Sequence, residues 1–267
     1  MYLHEIDPVF DPIAPQQTSG LPFCHWGDRA VVREIRRLGW DWVIVPVLRR
    51  LAPARVTGLE ELGGLRGPVI FASNHLSHVD SHVILAAMPA PFRYRVAPTM
   101  CDACFQSRNP VIRLWHAFRY YTTVLFANAF TLPRNLEFRQ ALRHIAYLAG
   151  AGWSVLVFPE GERSVSGNLL PLQPGTGVAA VTYQLPVVPV RVDDTQNVIP
   201  PGRGYPLPAQ VRIRFGRPIF PGGMDPSQLT ERLSGAMQEL ASASQGKPVD
   251  VAGMVRIEED EADSDGH

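Results

Sequence analysis

A histidine and an aspartate stand five residues apart in the segment Asn74-His75-Leu76-Ser77-His78-Val79-Asp80. An imidazole held in one tautomer by a carboxylate is a good general base near neutral pH, and it would activate a hydroxyl for attack on an acyl carbonyl. Five residues of a regular helix turn through about 500°, which leaves the two side chains about 140° apart. We therefore expect His75 in a loop and Asp80 in the first turn of a helix. The spacing alone is also compatible with a structural pair.

A second polar segment, Phe158-Pro159-Glu160-Gly161-Glu162-Arg163-Ser164, has the residue types of an anion-binding loop. Gly161 permits close backbone approach, and Arg163 and Ser164 are donors suited to phosphate. The alternative interpretation is a charged surface turn in which one of the glutamates pairs with the arginine.

Each polar segment directly follows a predicted strand, residues 68–73 (PVIFAS) and residues 153–158 (WSVLVF). In open α/β sheets, ligands bind outside the carboxyl ends of the strands, so the two segments are predicted to face one site. The other predicted strands are 94–97, 122–126, 186–192 and 211–215, and the predicted helices are 109–118, 136–149, 176–184 and 226–242.

This alternation predicts one α/β domain over residues 55–246, with a mostly parallel mixed sheet flanked by helices. The chain of 267 residues, 46% hydrophobic and 19% charged, suits one large domain and excludes a wholly disordered or fibrous protein. Residues 247–267 are expected to be an acidic, disordered tail. Before position 247 the net charge is about +5, since 23 basic and 18 acidic residues lie there. An arginine-rich body suits anionic partners, although genome composition explains the same bias.

The N-terminal region is predicted to be an irregular arm over residues 1–27 and an amphipathic helix over residues 28–54. Asp28 is a candidate helix cap. Val32, Ile35, Leu38 and Trp42 recur at helical spacing, with arginines on the other faces. This helix either packs on the domain or lies in a membrane interface, with tryptophan and arginine side chains as anchors. We expect no signal peptide and no segment that spans a membrane.

The cysteines and the remaining histidines do not favour a metal centre. Three cysteines make a disulfide framework implausible, and Cys101-Asp102-Ala103-Cys104 has no second pair to complete a zinc site. His78 is interpreted as a loop residue and His82 as a residue on a helix surface. We therefore predict no bound metal.

Taken in order, the polar segments resemble four conserved blocks of the glycerolipid acyltransferase superfamily, typified by 1-acylglycerol-3-phosphate acyltransferases. Asn74 to Asp80 is similar to its N-H-x-x-x-x-D block, and Phe158 to Ser164 to its F-P-E-G-T-R-S block. Between them, Phe130-Thr131-Leu132-Pro133-Arg134 resembles the second block. Leu185-Pro186-Val187-Val188-Pro189-Val190 resembles the fourth. The resemblance covers residues 55–220.

The resemblance implies transfer of a fatty acyl group from acyl-CoA or acyl carrier protein to a lysophosphatidate-like hydroxyl, as in phospholipid biosynthesis. It implies no metal or organic cofactor. We expect no nucleic-acid partner. We also expect a peripheral cytoplasmic location at the inner face of a membrane, because the acyl product is insoluble and the helix from Arg29 could dock there. His75 would be the base and Asp80 its orienting partner. The acceptor would be bound by Asn74, Arg134, Glu160, Gly161, Arg163 and Ser164.

Glu162 departs from the family pattern, which has threonine at this position. An added carboxylate beside a phosphate site either turns outward or indicates a less anionic acceptor. Acyl transfer to a non-glycerol lipid or a glycolipid therefore stays open. A catalytically silent lipid-binding relative is the remaining alternative.

Overall fold

Eight short strands form one sheet in a computed structural model that describes residues 30–100, 130–131, 138–164, 166–200, 206–242 and 249–250. The strands are β1 (Ala54–Thr57), β2 (Ile70–Ser73), β3 (Val96–Met100), β4 (Phe130–Thr131), β5 (Ser154–Val157), β6 (Val187–Asp193), β7 (Val211–Phe215) and β8 (Val249–Asp250).

The helices are α1 (Ala30–Gly39), a π-helical turn (Trp40–Ile44), α2 (Val45–Leu51), α3 (Asp80–Ala87), α4 (Ala90–Arg93), α5 (Phe138–Gly150), α6 (Gly175–Tyr183) and α7 (Pro226–Ser242). Two 3₁₀ turns cover Leu59–Leu62 and Thr195–Asn197.

The sheet order is β4-β3-β5-β2-β6-β7-β1-β8. The first five strands in this order are mutually parallel, β7 and β1 run in the opposite direction, and β8 pairs antiparallel to β1. The predicted α/β domain with a mostly parallel mixed sheet is therefore confirmed. Because β2 lies between two parallel neighbours, its carboxyl end opens onto the edge where β5 and β6 also end.

The sheet is covered on both faces, which explains why its central strands are continuous apolar runs. In β2 all four residues are buried, with Phe71 facing one side and Ile70 and Ala72 facing the other. The first side packs against α3 and the N-terminal helical segment. The second packs against α5, α6 and α7.

The predicted strands at 153–158, 186–192 and 211–215 and the predicted helix at 226–242 are confirmed within two residues at each end. The strand expected at 94–97 lies at Val96–Met100 instead. β1 was not predicted, and Val249–Asp250 pairs with it, so the expected disordered tail is wrong for these two residues. The predicted arm 1–27, the helix 109–118 and the strand 122–126 lie outside the described residues.

Residues 30–51 form one continuous helical segment, here called the N-terminal rod, whose buried face is not the apolar stripe at regular helical spacing. Arg36, Trp40 and Val45 are buried, whereas Trp42 is 78% exposed. The spacing of the buried positions is four and then five residues. The five-residue step falls in the π-helical turn, whose wider winding keeps Trp40 and Val45 on one side.

The contacts between the rod and the domain include ring contacts and polar groups. The Trp40 ring stacks on His82 with centroids 6.3 Å apart. The Tyr94 hydroxyl donates a hydrogen bond to the Asp41 carboxylate. The apolar residues at regular helical spacing, including Ile35 and Leu38, lie outside this contact at 47% and 50% exposure.

Candidate active site

His75 and Asp80 meet at the carboxyl end of β2, as the loop-then-helix expectation requires. His75 lies in the loop after the strand, and Asp80 is the first residue of α3. The His75 Nδ1 lies 2.8 Å from Asp80 Oδ2. The histidine side chain is 22% exposed and the aspartate is fully buried. The imidazole therefore has one nitrogen bound to the carboxylate and an edge that solvent reaches.

The Asp80 carboxylate also holds the loop that carries His75. The backbone N–H groups of Leu76 and Ser77 donate to the same Oδ2, at 2.7 and 2.8 Å. Three donors converge on this oxygen. Such convergence fixes the orientation of the carboxylate. Asp80 thus orients the imidazole by the ring contact and by the shape of the loop.

Phe158, at the end of the second predicted strand, stacks on the His75 ring. The two centroids are 4.2 Å apart and the rings are inclined by 25°. Stacking restricts rotation of the imidazole about its side-chain bonds. Sequence reasoning placed Phe158 in the second polar segment but assigned it no role.

Glu160 joins the two polar segments through its carboxylate. Oε1 accepts the N–H of His75 at 3.0 Å, and Oε2 accepts the N–H of Leu170 at 2.9 Å. Burial raises the pKa of the Glu160 carboxyl above its ordinary value, and these two hydrogen bonds oppose the shift. Glu160 was predicted to bind substrate, but both of its oxygens are committed to backbone groups. Its geometry is that of a positioning residue.

Asn74 is likewise committed to the protein and not to the open side of the site. It is 1% exposed. Its Nδ2 donates to the carbonyl of Val192 at 2.9 Å, and its Oδ1 accepts the N–H of Val192 at 2.8 Å. This paired contact extends the β2–β6 ladder by one side chain. The substrate-binding role predicted for Asn74 is therefore not supported by its contacts.

Of the remaining predicted acceptor residues that are described, Ser164 contacts His75 directly. Gly161 adopts a φ of +75°, a conformation that favours glycine, and Arg163 is exposed. Ser164 is buried, and its backbone N–H donates to the carbonyl of His75 at 2.8 Å. Glu162 is exposed. Arg134 lies outside the described residues.

His78 and His82 follow His75 in the sequence and lie in different surroundings. His78 is exposed in the loop, as predicted. His82 was expected on a helix surface but lies against Trp40, and burial lowers its pKa. Within the described ranges, no three His, Cys, Asp or Glu side chains are grouped as metal ligands. The three cysteines fall outside those ranges.

The chain belongs to the acyltransferase family: the model of the family described as "Acyltransferase" matches residues 53–193. The match includes both polar segments and ends at the last residue of β6.

Two curated relatives are 1-acyl-sn-glycerol-3-phosphate acyltransferases. A chloroplastic protein of Brassica napus is 28% identical over 166 residues, which are 62% of this chain and 44% of that protein. A protein of Chlamydomonas reinhardtii is 25% identical over 190 residues, 71% of this chain and 52% of the relative. The matches thus cover about half the length of these two relatives.

A solved structure establishes the fold independently. It is the crystal structure of the 1-acyl-sn-glycerophosphate acyltransferase PlsC from Thermotoga maritima, which matches with a TM-score of 0.57 at 24% identity. The match covers 81% of this chain and 82% of that one.

Proposed function

We propose that this chain is an O-acyltransferase that moves a fatty acyl group from a thioester to the hydroxyl of a lysophosphatidate-like acceptor. The observation that carries the proposal is the contact between His75 and Asp80, on a fold and in a family of acyltransferases. The curated relatives, named for acylation of 1-acylglycerol phosphate, support this acceptor class.

In the proposed step His75 Nε2 takes the proton of the acceptor hydroxyl. The hydroxyl oxygen bonds to the thioester carbonyl carbon, and the carbon–sulfur bond breaks as the tetrahedral intermediate collapses. The thiolate then receives the proton from the imidazolium, so that a free thiol and an acyl ester leave. Asp80 stabilises the imidazolium between these events. Acyl-CoA or acyl carrier protein is the co-substrate, and the step requires no metal or organic cofactor.

Arg163 supports binding of an anionic acceptor beside the base. It is exposed, and its neighbour Ser164 is hydrogen-bonded to His75 through the backbone. A guanidinium at this place can bind phosphate with two parallel hydrogen bonds. Glu162, also exposed, adds a negative charge next to it. If that carboxylate repels anionic head groups, acyl transfer to lysophosphatidate is weaker than transfer to less anionic acceptors.

We propose that the N-terminal rod lies in the interface of a membrane, at its inner face. Its outward side carries the exposed apolar residues Val31, Ile35, Leu38, Trp42, Val43 and Val47. Arg49 and Arg50 follow in the last turn. An apolar stripe beside arginines is the pattern of an interfacial helix. In the part of the chain that the structure describes, no helix is long and apolar enough to cross a membrane.

The experiment that tests the reaction measures thiol release from acyl-CoA with a series of acceptors, and identifies the products by mass spectrometry. The series comprises lysophosphatidate, a zwitterionic lysophospholipid and a neutral glycolipid. Acylated lysophosphatidate is the expected main product. Thiol release only with the glycolipid would refute the acceptor class. Acceptor binding without thiol release would refute the reaction.

A further inference from the structure

Arg191 is a buried cation in a strand that is otherwise mostly apolar. Only 7% of the residue is exposed, although β6 has buried valines around it. Val187 lies four residues earlier and therefore on the same face of the strand, where it packs in the core under α6 and α7. A buried charge costs free energy unless its donors are satisfied. The partners of Arg191 therefore indicate why it is present.

The guanidinium of Arg191 bridges a carboxylate and a loop carbonyl. Nε donates to Asp193 Oδ1 at 2.9 Å, and Nη2 donates to the carbonyl oxygen of Gly167 at 3.1 Å. The other oxygen of Asp193 accepts from Arg214 on the neighbouring strand β7. The Asp193 carboxylate thus holds Nε of the guanidinium, while Nη2 binds the loop of residues 159–174 at Gly167.

Two further hydrogen bonds lie close to Gly167 in sequence, one to the loop of His75 and one within residues 159–174. Ser164 N–H donates to the His75 carbonyl at 2.8 Å, and Leu170 N–H donates to Glu160 at 2.9 Å. The Gly167 contact lies between them in sequence and is made from β6, a different element. A buried ion pair by itself is weak evidence that it stabilises the fold. The contact of Arg191 with Gly167 is therefore the more informative one.

We propose that Arg191 is a positioning residue that holds the loop at Gly167 against β6, and so steadies Arg163 relative to His75. This rests on the proposed function for its catalytic consequence. Arg163 is adjacent to the anchored segment and is exposed. Loss of the Gly167 contact frees the middle of the loop, so the acceptor phosphate is aligned less well with the base.

The test compares Arg191→Met, Arg191→Lys and Arg212→Met with the unaltered protein. Arg212 is a matched control, because it also carries a guanidinium at this end of the sheet. It pairs with Asp194 at 2.9 Å, and its side chain is 43% exposed. Two quantities are measured: backbone hydrogen exchange of residues 164–170, and the KM and kcat for lysophosphatidate at saturating acyl-CoA.

We expect faster exchange over residues 164–170 in Arg191→Met, and an acceptor KM raised about tenfold with a smaller change in kcat, because misplacement by about 1 Å is costly at a reacting centre. Arg191→Lys, which can reach only one of the two partners, should recover part of both effects. Arg212→Met should change neither. Unchanged exchange and KM in folded Arg191→Met, or equal effects in Arg212→Met, would overturn the proposal.

The two proposals fail separately. If the unaltered protein transfers no acyl group to any acceptor, the proposed function fails, and the catalytic consequence of Arg191 fails with it. The exchange measurement needs no turnover and still decides whether Arg191 anchors the loop.

Discussion

The Nδ1 of His75 and the Oδ2 of Asp80 are 2.8 Å apart across the junction between a loop and the first turn of α3. That oxygen also accepts two backbone N–H groups, from Leu76 and Ser77. One carboxylate oxygen therefore both orients the ring and shapes the loop that carries it. Substitutions at Asp80 can separate these two tasks.

Asp80→Asn should reduce acyl transfer while keeping the loop and the histidine tautomer. Three donors face the position of Oδ2, so the amide oxygen takes that place and the amide nitrogen takes the other. The ring contact survives, but the negative charge that stabilises the imidazolium is lost. We expect kcat to fall by about 10²-fold, in the range of general-base contributions.

Asp80→Ala tests how far the Asp80 carboxylate holds the loop that carries His75. It leaves the three donors without their acceptor, at a cost of about 1–3 kcal/mol for each buried group. Thermal unfolding should show a large loss for Asp80→Ala and a much smaller one for Asp80→Asn. Equal loss of stability in both variants would contradict the division of tasks.

Glu160→Gln should lower activity because it disturbs the loop that carries His75. Each carboxylate oxygen accepts a backbone N–H, whereas an amide accepts only one and presents a donor to the other. Displacement of the His75 loop should reduce kcat by roughly 10- to 100-fold. Steady-state kinetics would check this loss.

The pH dependence of Glu160→Gln follows from the raised pKa of Glu160, whose ordinary value is 4.5. The protonated acid is favoured in the folded state, so its stabilising contribution is complete below pH 4.5 and is lost as the pH rises through the folded pKa. Glutamine does not titrate. The unfolding midpoint of the variant should therefore rise relative to the unaltered protein from acid to neutral pH. A relative fall would contradict the role assigned to burial.

His82→Phe should make the protein less sensitive to mild acid. Burial lowers the pKa of His82 below its ordinary value of 6.5, so the neutral ring is favoured in the folded state. Its contribution is complete above pH 6.5 and is lost as the pH falls through the folded pKa. Phenylalanine retains the stack on Trp40 and does not titrate. From about pH 7.5 to about pH 5.5, unfolding midpoints should fall more for the unaltered protein than for the variant. A parallel decline would show that His82 does not titrate here.

Trp42→Ser should weaken binding to liposomes, because this side chain is 78% exposed on the outer side of the rod. Removing one large apolar side chain from an interface costs about 2 kcal/mol, which corresponds to roughly 30-fold weaker partitioning. Phe220→Ser is the matched control, since Phe220 is 62% exposed outside the rod. Flotation with vesicles containing anionic lipid checks both. Equal loss in the two variants would argue against docking through the rod.

The catalytic pair could be predicted because its chemistry and its setting are local. His75 and Asp80 are five positions apart and follow an apolar run, so the strand, the loop and the helix start are all encoded within residues 68–87. The strands that support them were predicted for the same reason. β6 is apolar over most of its length because both faces are covered.

The side-chain contacts around the pair that join residues distant in sequence could not be predicted in this way. Asn74 contacts Val192, which is 118 residues away, and Arg191 contacts Gly167, which is 24 residues away. Neither separation leaves a periodic pattern. The one visible signal for Arg191 was a charged residue between buried valines of β6.

A regular helical period does not determine which side of the rod is buried, because the helix winds differently in its π-helical turn. The regular helical spacing correctly grouped Ile35, Leu38 and Trp42 as one apolar side, but that side faces outward. The buried side includes Arg36, whose guanidinium lies 5.8 Å from the centre of the Trp153 ring. An arginine at a buried position, followed by a π-helical turn, cannot be anticipated from a regular period.

The most direct test of the account is the turnover of His75→Ala with acyl-CoA and the best acceptor, beside His78→Ala from the same loop. We expect His75→Ala to fold and to lose at least about 10²-fold in kcat, whereas His78→Ala, at an exposed position, stays within about twofold. Turnover by folded His75→Ala close to that of the unaltered protein would contradict the assignment of His75 as the base.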